Sequence, residues 1–313
     1  MKKRDLLSLS DLSREEIGKI FSLARTLKSK QKGGHPHRLL AGKTLALVFE
    51  KPSLRTRVSF ETGIFQLGGH AVFLGPGEIQ LGVRETAADC ARNLSRWVHL
   101  IVMRTFSQLT LEEVAAHATV PVINGLTDLF HPCQVLADCL TLLEHKGALA
   151  GLKIAFLGDG NNMVHTWMQA AEKFSFSFVV ACPKGYEPAA EVTRAAKNSG
   201  GKISVTHQVD RAVRDADAVY TDVWTSMGQE REFEKRRMAF RDYQLNQDVL
   251  AMAKSNAVVM HCLPAHRGEE ITDEVLDGQQ SIVLDQAENR LHVQKAIMVW
   301  ALKGLGAQKM DEG

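Results

Sequence analysis

The segment FEKPSLRTRVSFETG, Phe49 to Gly63, sets Ser53, Arg55, Thr56 and Arg57 directly behind the apolar run TLALVF. Four such side chains are costly to bury unpaired, so they face solvent or a ligand. Pro52 and Ser53 are helix-starting residues, with Ser53 as the N-cap. A helix N-terminus offers unpaired N–H groups and the positive end of a dipole, which together suit an anion. Arg55 and the Thr56 hydroxyl then point to a phosphate rather than a carboxylate. Arg57 stands one turn before Glu61, and a surface ion pair is its plainer use.

Two further strand ends carry donors. Arg104 follows VHLIVM, and in DLFHPCQ the pair His131 and Gln134 brackets Pro132, a residue suited to the first helical position. A lone arginine after a strand is usually surface, and a lone histidine is often a satisfied core residue. Here three strand ends of the first half bring donors and no carboxylate, so the guest they fit is an anion with a neighbouring polar carbonyl. The second half carries LGDGNNMVH, TDVWTSMG and MHCLPAHRGEE. The first imitates a dinucleotide loop, but Met163 occupies the third glycine position and the next strand ends in VVACPK, without an acid for a ribose. Hydride transfer is therefore the weaker reading. Asn161, Asn162 and His165, with Asp222, Ser226 and Cys262, instead suit a zwitterionic amino acid, Asp222 taking its ammonium.

These residues must be positioned by strands and helices in alternation. Candidate strands are Thr44 to Phe49, His70 to Leu74, Val98 to Met103 and Val120 to Asn124. They continue with Leu152 to Gly158, Phe176 to Ala181, Lys202 to Thr206, Asp217 to Asp222, Ala257 to His261 and Ser281 to Asp285. Helix-length stretches with three- and four-residue apolar spacing separate most of them, which predicts βαβ units and an α/β fold of two doubly wound parallel-sheet domains joined by interdomain helices. The helical pattern from Pro132 to Lys146 puts the boundary near residues 146 to 151, giving domains 1–147 and 148–286. The last segment, 287–313, reads as a long amphipathic helix that caps the second domain or returns to the first.

The 313 residues are 45% hydrophobic and 24% charged with a net charge of +2, which gives no reason to expect nucleic acid as a partner. No apolar run reaches the length of a membrane span, and the basic N-terminus lacks the apolar stretch of a signal peptide. The five cysteines never occur as CxxC and fit reduced thiols in a cytoplasm. No metal is expected, since HExxH is absent from the twelve histidines' surroundings.

Taken in order, SLRTR, HPCQ, DVWTSMG and HCLP resemble the ornithine carbamoyltransferases, over nearly the whole chain. The aspartate carbamoyltransferases share the first two elements, but typically have Pro where this chain has Cys262 and lack the Ser-Met-Gly element. The resemblance implies transfer of the carbamoyl group of carbamoyl phosphate to the side-chain amine of L-ornithine, giving citrulline and phosphate without a cofactor. It implies a carbamoyl phosphate site of Ser53, Leu54, Arg55, Thr56, Arg104, His131, Gln134, Cys262, Leu263 and Arg290. Gln80 would join from a neighbouring subunit of a homotrimer. The ornithine site would be Asn162, Asp222, Ser226 and Met227, and the catalytic group Arg104, His131, Asp222 and Cys262. Leu54 departs from the Thr usual in the family. That substitution loses a hydroxyl contact and keeps the backbone N–H. Other amine acceptors, such as acetylornithine or putrescine, and a silent homologue remain the alternatives.

Overall fold

The computed structural model describes residues 3–79 and 81–304 and divides into two compact units. One gathers the chain up to Leu136 and again from Arg290 on; the other runs from Ala137 to Asn289. The chain crosses between them within two helices, Pro132–Lys146 and Val283–Lys303.

In the first unit, strands β1 (Thr44–Phe49), β2 (His70–Leu74), β3 (Leu100–Arg104) and β4 (Val122–Leu126) form a parallel sheet of order β2-β1-β3-β4. Unbroken apolar runs such as TLALVF suit strands buried on both faces. On one face Ala46, Val48, Ile101 and Met103 pack with Cys90, Leu94, Leu111 and Val114, from the helices Ala87–Trp97 and Gln108–His117. Leu45, Leu47 and Phe49, of opposite parity, are equally buried. Phe49 pairs with Arg104, which levels the ends of β1 and β3.

In the second unit, β5 (Lys153–Leu157), β6 (Ser177–Ala181), β7 (Lys202–Thr206), β8 (Ala218–Thr221) and β9 (Val258–His261) form a parallel sheet of order β7-β6-β5-β8-β9. The expected tenth strand, Ser281 to Asp285, does not form. Ser281 makes one isolated bridge to Val259, and the helix begins at Val283. A three-residue apolar run, Ile282 to Leu284, reads alike as a short strand or as the buried start of a helix. Here the 21-residue helix claims it. That helix's Val293, Ile297 and Val299 are fully buried. No described helix is long and apolar enough to cross a membrane.

Candidate active site

Strand order reverses between β1 and β3 in the first unit and between β5 and β8 in the second. Open parallel sheets take their ligands at the carboxyl ends beside such reversals. Ser53 to Arg57 follow β1 and Arg104 ends β3 at the first reversal, while Asn161 and Asn162 follow β5 and Asp222 follows β8 at the second. His131 and Cys262 follow the neighbouring strands β4 and β9.

From β1 the chain enters the helix Leu54–Gln66. Ser53 caps it, its Oγ accepting the Thr56 N–H at 3.2 Å. The N–H groups of the first turn face out of the helix end. Leu54 is 73% exposed, whereas Thr56 is buried. Arg57 makes the surface pair with Glu61 at 3.0 Å and stacks over Phe73.

Above this turn sits Arg290. Its Nη2 donates to Thr56 Oγ1 at 3.1 Å and its Nη1 donates to Gln134 Oε1. Gln134 lies in the first turn of the helix that starts at Pro132. Arg104, at the end of β3, and His131, just before Pro132, are buried beside them. Burial, then the charges of Arg290 and Arg104, hold the His131 imidazole well below its usual pKa. It is therefore neutral at physiological pH, able to donate one N–H without carrying charge.

Sequence reasoning missed Gln294, which joins this group, and the buried Lys51 after β1. Gln294, one turn beyond Arg290, donates to Ser59 Oγ and accepts from Arg290 Nη2 at 2.9 Å once its amide is oriented to satisfy both ends. The spacing of four from Arg290 was its only signal. Lys51 is buried, pairs with Asp128 and lies 4.1 Å from the centroid of the Phe106 ring. Gln80 lies outside the described residues.

In the second unit the loops after β5 and β8 meet. Asn161 caps the helix Asn162–Phe174, accepting from Met163 and Val164, while its Nδ2 donates to Asp222 Oδ2 at 2.9 Å. Asp222 Oδ1 accepts the Val223 N–H at 2.8 Å and the Cys262 thiol at 3.0 Å. Three donors thus orient a buried carboxylate that retains lone-pair capacity for a ligand cation. Asn162 is the first residue of that helix, and its carbonyl accepts from Thr166 Oγ1 at 2.7 Å. His165 instead turns to the backbone, accepting from Ala189 N–H at 3.0 Å. Ser226 and Met227 stand in a tight turn closed by Gln229, with Gly228 at φ +96° and Met227 44% exposed.

Of the two glycines that imitate a nucleotide loop, Gly158 sits at φ +131° and Gly160 has a packing reason. A Cβ on Gly160 would lie 2.2 Å from Pro188 N, so this loop passes another backbone too closely for any side chain. Beyond β9, His261 Nδ1 accepts the Leu263 N–H at 2.8 Å and its Nε2 faces Glu270 Oε1 at 3.0 Å. These bonds set the turn that carries Cys262 and Leu263. Asp222, His261 and Cys262 have donor atoms close enough to surround a metal ion. Both nitrogens of His261 are already engaged, so this set offers no complete ligand sphere. His266, Glu269 and Glu270 form the other such group among the described residues.

Residues 4–144 match the family model described as the carbamoyl-P binding domain of aspartate/ornithine carbamoyltransferase, and residues 150–301 match its Asp/Orn binding domain. An ornithine carbamoyltransferase of Syntrophus aciditrophicus is 54% identical over 297 residues, covering 95% of this chain and 98% of the relative. The anabolic ornithine carbamoyltransferase of Pyrococcus furiosus is 52% identical over 306 residues, 96% and 97% of the two chains. The solved ornithine carbamoyltransferase of that organism superposes with a TM-score of 0.93 over 96% of this chain and 98% of its own. The Burkholderia thailandensis enzyme gives 0.89 at 45% identity, over 96% and 99%. Both halves match the models of one family, and relatives at half identity span nearly the full length: the chain belongs to the aspartate/ornithine carbamoyltransferase family.

Proposed function

We propose that this protein transfers the carbamoyl group of carbamoyl phosphate to the side-chain amine of L-ornithine, giving L-citrulline and phosphate. The observation that carries the reading is the convergence of Thr56, Gln134 and Arg290 over a capped helix N-terminus, beside Arg104 and a neutral His131. The relatives' names supply the acceptor.

In this reading residues 1–147, with the returning C-terminal helix, are the carbamoyl phosphate domain and 148–286 the ornithine domain. Ser53, Leu54, Arg55 and Thr56 present the helix end to the phosphate, and Arg55 adds charge as it leaves. The amine attacks the carbonyl carbon, the C–O bond to phosphate then breaks, and the amine loses a proton. Negative charge develops on the carbonyl oxygen, and Thr56, Arg104 and His131 are its donors. One such donor is typically worth about 2.7–4 kcal/mol of barrier. Neutral His131 fits donation better than proton transfer. Gln134 and Arg290 hold the carbamoyl group in register, with Gln80, Cys262 and Leu263 assigned to the same substrate. Asn162, Asp222, Ser226 and Met227 hold ornithine, and Asp222 and Cys262 orient its amine. A primary alkylammonium has a reference pKa of about 10.4, so on the order of one amine in a thousand is reactive at neutral pH.

We further infer a homotrimer. Leu54, Val58 and Phe65 form an exposed apolar stripe on one helix, 73%, 49% and 77% exposed, of the kind that marks an association surface. Five free cysteines support a reducing cytoplasm. A role in arginine biosynthesis follows the anabolic description of the Pyrococcus relative.

The test is citrulline formation from carbamoyl phosphate, with ornithine, acetylornithine, putrescine and aspartate compared. Turnover with ornithine alone is expected. Preference for another acceptor would overturn the Asp222, Ser226 and Met227 assignment, and no turnover with any would revive the silent homologue.

A further inference from the structure

In the second unit one buried cation has no part in the reaction as described. Arg236 lies on the helix Phe233–Phe240 and is 3% exposed, while its neighbours Lys235 and Arg237 point to solvent. Its Nε donates to the carbonyl of Trp224 at 2.6 Å, and its Nη2 pairs with Asp159. The guanidinium lies 4.9 Å from the Tyr186 ring centroid and 5.3 Å from that of Phe240, against which Trp224 also stacks. Trp224 stands two residues after Asp222 and two before Ser226. Asp159 stands two residues before Asn161, the amide that holds Asp222. Two polar rungs thus join the same pair of loops: Asn161 to Asp222, and Asp159 through Arg236 to Trp224.

We infer that Arg236 is a positioning residue for the ornithine site, holding the loop 222–229 against the loop 158–162 and so fixing Asp222, Ser226 and Met227 relative to Asn162. The inference rests on the ornithine reading above. A planar guanidinium spans carbonyl and carboxylate with a rigid fork of separate nitrogens and stacks on aromatic rings, a geometry the compact ammonium of lysine does not reproduce. Asp159 answers the buried charge, and its own pKa is raised to about 6, by burial first and against the pull of Arg236.

The experiment pairs steady-state kinetics with amide hydrogen exchange of the substrate-free full chain, on wild type, Arg236→Lys and Asp159→Asn. Lysine keeps the charge but loses the rigid fork that spans both partners; asparagine keeps the shape and drops the charge. The expected result is a KM for ornithine raised about tenfold while that for carbamoyl phosphate stays within about twofold. Amides 223–229 should also exchange faster without any substrate present. Asp159→Asn should give the same pattern, more weakly, and it carries the test if the lysine variant does not fold. A rise of both KM values together, no rise in either, or unchanged exchange in the folded variants overturns the inference. Because exchange is read without substrate, a wild type inactive with ornithine would sink the ornithine reading and still let the loop measurement stand or fall by itself.

Discussion

Arg290 Nη2 donates to Thr56 Oγ1 at 3.1 Å across 234 positions of the chain. The residue that completes the first turn of the phosphate-facing helix is thus supplied by the last helix of the fold. Arg290→Gln removes a guanidinium that also serves Gln134, and leaves two buried polar groups to find new partners. The expected outcome is a fall in kcat/KM for carbamoyl phosphate of about 10²–10³, comparable to the loss of one oxyanion donor, because Thr56 loses the guanidinium that holds its hydroxyl. Ornithine KM should barely move. Arg241→Ala, on the surface of the other unit, serves as the control and should lose less than about twofold.

His131 supplies a pH prediction with a definite sign. Its pKa is held well below 6.5 in the fold, by burial first and then by Arg290 and Arg104. The unfolded chain takes up this proton below about pH 6.5 and the folded chain does not. The contribution is therefore fully present above that pH and is lost as pH falls below it. His131→Gln should flatten the acid side of the stability profile. Urea midpoints measured between about pH 5 and 7 check this, and an unchanged slope would assign the acid loss to other groups.

Lys295 works at the opposite end of the scale. It is fully buried on the C-terminal helix, donating to Gln31 Oε1 at 2.7 Å and Gln66 Oε1 at 2.8 Å, with His37 Nε2 at 3.1 Å. None of these acceptors is charged, and burial lowers its pKa to about 8. The unfolded lysine stays protonated to about 10.4, so stability should rise with pH from about 8 to that value. Lys295→Met should abolish this alkaline rise in melting temperature. Persistence of the slope in the variant would place the titrating group elsewhere.

How much of this was legible in the sequence differs residue by residue. The cap at Ser53 and the helix start at Pro132 are local events, governed by side chains within one turn, and the structure has both. The runs of β1 and β3 are legible in the sequence, but the pairing of Phe49 with Arg104 skips the intervening strand and is set by tertiary packing. The destination of the last helix could not, because an amphipathic stripe records that a face is buried and not against what. Gln294, Lys295 and Arg236 escaped notice for the same reason. Each sits in a charged or polar stretch that reads as a solvated face until tertiary contacts bury it. Asn161 and Asn162 were nominated together; the amide that holds Asp222 is Asn161, and only three-dimensional geometry separates such neighbours.

Gly160→Ala should be disproportionately harmful. Its Cβ would meet backbone atoms of Pro188 and Glu187 at 2.2 and 2.5 Å, which side-chain repacking cannot relieve. A loss of about 1–3 kcal/mol is expected, together with a higher ornithine KM. Gly18→Ala, in the helix Arg14–Lys32 with open space around the new methyl, should instead stabilise by about 0.5–1 kcal/mol. Parallel thermal melts read both, and equal effects would defeat the argument from close backbone approach.

Leu54→Thr restores the residue usual in the family. The Leu54 side chain is 73% exposed and the backbone N–H is common to both residues. Stability should change by less than about 0.5 kcal/mol. Carbamoyl phosphate KM should fall by no more than a few-fold, as seen in initial rates at limiting substrate. A tenfold gain would show the lost hydroxyl to be a principal contact.

The return of the C-terminal helix to the first unit also has a consequence in time. A ribosome moving along this message finishes all four strands of that unit, with Ser53, Arg104 and His131, long before Arg290, Gln294 and Lys295 emerge. Until then Thr56 and Gln134 lack the guanidinium that joins them, and Gln31 and Gln66 lack their shared ammonium. N-terminal segments otherwise tend to fold first during synthesis. Here the earliest-made unit is the one that waits, so a message cut short of codon 290 yields a chain with every strand and an unfinished anion site.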